Sequence, residues 1–262
     1  MAKKPSAKEK TPNREYEVKL WVTDLNPTEV GIYQASRHRA KSRQFTKDMD
    51  IFAEVKENGE RTHLLAYRKG LWQDKNGMGK RLVIKLFTAE MNWRATLDLL
   101  LGRSLQLTHG AGGFPVTAFS INIANHDQIV QVERSAYKWA GTPEKFSFFI
   151  LKDDGKPYFY RLRRNWINIG DDYKLYDEHD RLVGKLNGRV INIGGKWKVR
   201  VNAKHADPRL DTVLQLFCGM LKFNEDCRHH LEDLVGNMHD GKLIPKLEHQ
   251  ETELYMNPRR VR

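Results

Sequence analysis

"LDTVLQLFCGMLKF", Leu210 to Phe223, is the most apolar stretch of a chain that is otherwise polar and basic. At about 100° per residue, Val213, Leu214, Leu216, Phe217, Cys218, Met220, Leu221 and Phe223 cover well over half of a helix circumference. Gln215, Gly219 and Lys222 share the narrow seam that remains. Upstream, Asp207 is placed to cap the helix and Pro208 to open it. Downstream, Cys227, Leu231, Leu234 and Val235 extend the apolar face, with Gly236 as the expected stop. The spacing predicts one helix over about 208–235. A bilayer span needs about 20 consecutive apolar residues, and Lys222 followed by "NEDCRHH" ends this run too early. A helix that is apolar nearly all round belongs inside its own protein.

The rest of the chain reads mainly as strands that could enclose it. "KRLVIKLF", "FPVTAFSINIA", "DQIVQVE", "KFSFFIL", "PYFYRLRRNWINI", "YKLYDE", "RLVGKL", "RVINI" and "KWKVRV" alternate or carry β-branched and aromatic residues. Turn dipeptides separate them: Asn58-Gly59, Asn76-Gly77, Asp154-Gly155, Asn187-Gly188 and Gly194-Gly195. "INIGDDYKLY" from Ile167 and "INIGGKWKVR" from Ile191 form a weak repeat of successive hairpins. The expected fold is mainly β, an antiparallel β-barrel around a hydrophobic carboxy-terminal helix. "AEMNWRATLDLLLGRS" adds a short helix near 90–102, ending at Gly102. One domain is expected over 16–236, between a disordered basic tail (1–15) and a polar tail (237–262).

A net charge of +12 over 262 residues favours anionic partners, nucleic acid or an anionic membrane surface. The two cysteines, Cys218 and Cys227, lie in the apolar region, which points to a reducing compartment rather than a disulfide framework. "MAKKPSAKEK" has no apolar core, so neither a signal peptide nor an anchor is expected, and the expected location is cytoplasmic.

"YKLYDEHDRLVGKL" and "WKVRV", followed by "DPRLDTVLQLFCGMLKFNED", resemble the tubby carboxy-terminal-like superfamily, which includes phospholipid scramblases and LURP-one-related proteins. The resemblance is clearest over about 146–234; the first half fits as further strands. It implies a closed barrel around a hydrophobic helix and a regulatory, membrane-linked role rather than catalysis. The implied partner is an anionic phospholipid or phosphoinositide surface, reached as a peripheral membrane protein. A scramblase-like calcium segment would fall on "NAKHADPRLD", where Asp207 and Asp211 are the only carboxylates. Calcium takes about six to eight oxygen ligands, so calcium binding is not carried over.

Motifs for chemistry are weak. "THGAGGFP" lacks the Gly-Lys-Ser/Thr ending of a phosphate loop, and "NGMGKR" has Asp74 where the upstream glycine would stand, so both read as turns. Cys227, His229, His230 and His239 cluster without a paired Cys-x-x-Cys, and adjacent histidines diverge on a helix. No Gly-x-Ser-x-Gly elbow is present, and the adjacent carboxylates Asp171 and Asp172 fall on opposite faces of a hairpin. No catalytic residue, metal site or cofactor is expected.

The basic residues carry more information. In "KWKVRV", Lys196, Lys198 and Arg200 share one strand face, while Trp197, Val199 and Val201 share the other. Arg161 and Arg163 repeat the pattern, as do Arg37, Arg39, Lys41 and Arg43 if "RHRAKSR" is extended. These nine residues are the candidate anion-binding set. The first functional expectation is a non-enzymatic barrel docking to anionic lipid headgroups. The alternatives are a nucleic-acid-binding protein using the same strand faces and a scaffold barrel whose charge is incidental.

Overall fold

The structure is a computed structural model describing residues 13–20, 44–136, 143–165, 172–190, 195–247 and 251–252. Its strands are β1 (Arg14–Leu20), β2 (Met49–Glu57), β3 (Glu60–Arg68), β4 (Val83–Thr88), β5 (Trp93–Leu99) and β6 (Ala118–Ile123). They continue as β7 (Ile129–Arg134), β8 (Lys145–Leu151), β9 (Pro157–Arg164), β10 (Tyr173–Asp177), β11 (Leu182–Val190) and β12 (Gly195–Val201). Each pairs antiparallel with its sequence neighbour, and β1 pairs with β12, so the sheet closes into a 12-stranded barrel. Closure leaves no edge strand to be covered.

Alternation sets what faces inward. On β8, Phe146, Phe148 and Ile150 are buried while Ser147, Phe149 and Leu151 are exposed. On β12, Trp197, Val199 and Val201 are buried, as the alternation in "KWKVRV" predicts. The barrel interior is thus apolar, whereas the interior of a strand-built membrane barrel is polar. Among the described residues no helix is long and apolar enough to cross a membrane.

The stretch from Pro208 to Leu221 is a helix filling the lumen. Asp207 caps it by accepting from the Arg209 amide at 2.9 Å, with Pro208 in the first turn. Phe217 meets Phe146 of β8 and Tyr173 of β10, whereas Gly219 faces Leu65 of β3 and Phe52 of β2. A helix touching strands from opposite sides of the ring is inside it.

The lumen helix does not continue to 235 as one rod. It ends at Leu221, and a second helix, Asn224–His239, begins after a break at Lys222 and Phe223. The Phe223 ring lies among Tyr67, Phe52 and Trp72, with centroids 5.0, 5.3 and 6.1 Å away. The second helix packs on that aromatic cluster through His230, whose ring lies 6.4 Å from Trp72. Gly236 falls inside the second helix rather than at its end.

The helix expected near 90–102 is also corrected. Ala95, Leu97 and Leu99 are buried and alternate with Arg94, Thr96 and Asp98, so this segment is β5. The helix begins at Leu101 and runs to Gly110, with Gly102 in its first turn. Its first free amides, of Gly102 and Arg103, donate to the two carboxylate oxygens of Glu251 at 2.9 and 2.8 Å. The polar carboxy-terminal stretch is therefore fastened to the fold at Glu251.

Asn58-Gly59 makes the β2–β3 turn with both residues at positive φ, and Gly155 turns β8 into β9. Asn187-Gly188 is not a turn: both lie within β11, paired with Lys198 and Trp197. The two "INIG" segments, 167–170 and 191–194, lie outside the described residues.

Candidate anion-binding surface

Antiparallel register brings basic residues from separate strands into one transverse row. Lys145 of β8 stands opposite Arg163 of β9, which stands opposite Lys174 of β10. Lys174 stands opposite Lys185 of β11, and Lys185 opposite Arg200 of β12. Their strand neighbours Phe146, Leu162, Tyr173, Leu186 and Val199 are all buried, so the row faces outward. At about 4.8 Å between strands, the row spans roughly 19 Å of the outer wall.

Ion pairs divide this row into compensated and uncompensated parts. Arg200 Nε lies 2.9 Å from Glu15 of β1, Lys198 Nζ 3.4 Å from the same carboxylate, and Lys196 Nζ 2.7 Å from Glu17. All three point outward as expected, but β1 supplies each with a counter-charge. Asp180, in the β10–β11 turn, receives both Arg161, at 3.1 Å, and Arg163. Arg163 also stacks over the Tyr176 ring, 4.7 Å from its centroid. Among the described residues, Lys174 and Lys185 form no ion pair with any carboxylate. Like charges directly opposite on paired strands are destabilising, and here the flanking partners Arg163 and Arg200 are cations too. Arg37, Arg39, Lys41 and Arg43 lie outside the described residues.

The same wall carries an apolar end. Phe149 of β8 and Phe159 of β9 are register partners with ring centroids 5.4 Å apart. They are 39% and 50% exposed, large values for aromatic side chains, and Leu151 and Leu182 are exposed as well. Along β9 the outward positions read Phe159, Arg161, Arg163, so apolar gives way to basic within one strand. Among the described residues the β7–β8 register comprises Glu133–Ser147 and Arg134–Phe146, extended by the Ser135 amide donating to the Lys145 carbonyl at 2.8 Å. Beyond that short seam Gln128 bridges the strands, donating to the Phe149 carbonyl at 3.1 Å and accepting from the Leu151 amide at 2.6 Å. A shallow depression of about 500 Å³ lies beside Phe149 and Phe159, with Arg161 on its border.

The other chemical candidates do not assemble. Cys227 is buried, and burial pushes its thiol well above the usual range. His230 packs against Trp72, His229 faces Glu225 and Glu232, and His239 lies near His109. Among the described residues no three His, Cys, Asp or Glu side chains gather as a metal site. Asp207 and Asp211 are engaged by Arg209 and Arg14 respectively. Phe149, Phe159, Lys174 and Lys185 were missed in the sequence because their significance depends on which strands are neighbours.

No protein-family model matches this chain, and neither a curated protein nor a solved structure matches it.

Proposed function

We propose that this protein is a non-catalytic barrel of tubby-like kind that docks on anionic phospholipid surfaces through the outer wall of β8 to β12, acting as a peripheral membrane module on the cytoplasmic side. The observation that carries this reading is the uncompensated Lys174–Lys185 pair, set in a basic row beside the exposed Phe149–Phe159 pair. A basic side chain near an anionic membrane surface contributes roughly 1 kcal/mol. Aromatic rings favour the headgroup level, where an apolar body meets a polar boundary. A wall that is aromatic at one end and cationic at the other suits that boundary. The enclosed helix supports the resemblance to tubby-like proteins.

The second reading, single-stranded nucleic acid, is favoured by one fact. The Phe pair shares its face with Arg161 and Arg163, and base-binding surfaces combine stacking rings with phosphate-binding cations. Flotation with phosphoinositide-containing vesicles, flotation with neutral vesicles and binding to single-stranded RNA, all at one salt concentration, separate the two. The expected result is binding to the anionic vesicles only, lost in a Lys174→Glu, Lys185→Glu double variant. Retention of RNA with no vesicle binding would establish the second reading, and indifference to both ligands would leave a scaffold.

A further inference from the structure

The carboxy-terminal stretch returns to the barrel at the start of the helix Leu101–Gly110. Glu251, only 5% exposed, accepts there from the Gly102 and Arg103 amides, and a helix start favours negative charge. Gly102 makes room for the contact: a Cβ on it would stand 2.3 Å from Leu247 Cδ2 and 3.2 Å from Glu251 Oε1. Leu247 and Glu251 thus form a clasp over one glycine. Ahead of the clasp Leu243 is partly buried against the core, but Ile244 is 87% exposed and Leu247 itself 49%. A segment that buries so little of itself opens at small free-energy cost, so the clasp decides whether this strap stays seated.

Asp98 stands beside the clasp, on the outer face of β5 between Val83 of β4 and Ser120 of β6. Its Oδ1 lies 3.0 Å from Arg81 Nε, yet is buried and accepts no hydrogen bond. A carboxyl oxygen buried in that state tolerates a proton better than a charge. The charged groups acting on it are Arg81, Glu251 of the strap, Lys85 of β4 and Arg68 of β3. Lys85 is drawn to Gln44 and Arg68 to Asp48, while Arg103, beside the clasp, pairs with Glu133. An ionised Asp98 therefore has Arg81 as its close counter-charge and a second buried carboxylate, Glu251, within electrostatic reach.

We propose that the carboxy-terminal strap is a proton-operated latch: Glu251 stays on the Gly102 and Arg103 amides while Asp98 is protonated and leaves them when Asp98 ionises. Burial, with Glu251 adding to it, pushes the Asp98 carboxyl up to about 6 from an ordinary value near 3.8. Whatever part of that rise the seated strap causes is withdrawn when the strap leaves, so the seated form holds the proton more tightly. Protonation assists seating fully below the lower value, and the assistance is lost as pH rises through the upper one. Each pH unit of that part changes the seating equilibrium about tenfold. The latch is independent of what the outer wall binds.

NMR of the full chain with labelled leucine methyls, titrated from about pH 5 to about pH 8, tests it. The contact between the Leu247 methyls and Gly102 should be present at the acid end and weaken on titration, while the Phe217–Phe146 ring contact persists. Glu251→Ala, which lacks the clasp, supplies the Leu247 shifts of the released strap. Measured against them, the ratio of seated to released strap should fall about tenfold across the titration. Asp98→Asn should hold the strap seated throughout, and Asp98→Ser covers a failure of that variant to fold. A ratio that does not change with pH, or an equal fall in the non-titrating variants, overturns the latch. So does simultaneous loss of the Phe217–Phe146 contact, which would make the event general unfolding.

Discussion

The Phe217 and Phe146 rings meet edge to face inside the barrel, with centroids 5.0 Å apart and planes at 78°. Tyr173 closes on the same ring from β10 at 5.3 Å, so Phe217 is held between two strands of a wall that cannot move inward. Truncation to alanine should therefore leave an open cavity and cost about 3–5 kcal/mol. Urea melts measure it. A loss below about 1 kcal/mol would mean that the lumen collapses around the gap.

Gly219 and Gly236 form an internal comparison on the two carboxy-terminal helices. A Cβ at Gly219 would stand 2.6 Å from Leu65 Cδ2 and 3.3 Å from Phe52 Cζ, whereas one at Gly236 meets nothing within 4 Å. Replacing a helical glycine with alanine gains up to about 1 kcal/mol when there is room, and overpacking costs about 1–3 kcal/mol when there is not. Gly236→Ala should raise the melting temperature and Gly219→Ala should lower it. Two shifts of the same sign would sink the argument.

Stability and binding should move in opposite directions at Lys174. A glutamate there would sit opposite Arg163 and Lys185, turning like-charge contacts into attractive ones. Such pairs are worth roughly 0.2–1 kcal/mol each. Lys174→Glu should thus melt slightly later than the parent, yet bind phosphoinositide vesicles roughly tenfold more weakly or worse. A variant that is both less stable and fully competent in binding would remove the row from the function.

Asp98 gives the pH dependence a specific component. Burial pushes its carboxyl up to about 6 despite Arg81 Nε at 3.0 Å, and Glu251 adds to the rise. The folded protein then holds this proton more tightly than the unfolded chain, whose ordinary value is near 3.8. The stability it confers is complete below that lower value and lost as pH rises through the upper one. The loss is on the order of 3 kcal/mol. Asp98→Asn cannot titrate, so its stability curve between these limits should lack that fall. Parallel curves for the two proteins, whatever their offset, would show that Asp98 does not titrate there.

Where the sequence was legible and where it was not follows from the range of the interactions. Alternation is local, and it placed Trp197, Val199 and Val201 inside and Lys196, Lys198 and Arg200 outside. The lumen helix carries its own start signal in Asp207 and Pro208. The helix at Leu101 has none: Leu100 at its cap position offers no side-chain acceptor, and Glu251, far along the chain, serves instead. With no local boundary, the leucines of β5 and those of the helix merged into one apparent helical run. The break at Lys222 is equally silent, because neither glycine nor proline makes it and the distant rings around Phe223 do. The Lys174–Lys185 pair needed the register of two strands, which no single strand reveals.

The closure of the ring by β1 and β12 has a further consequence for how the molecule comes into being. Of the barrel strands described, β1 is synthesised first, and it must wait for β12 before it has both neighbours. The helix that fills the lumen follows β12 directly, and β1 grips it, with the Tyr16 hydroxyl donating to the Asp211 carbonyl at 3.2 Å and Arg14 holding the Asp211 carboxylate. Closure and filling are therefore one late event on the folding path rather than two, and it waits on the one strand pairing that is distant in sequence. A nascent chain halted at Asn202 would possess every strand of the wall and nothing to wrap it around.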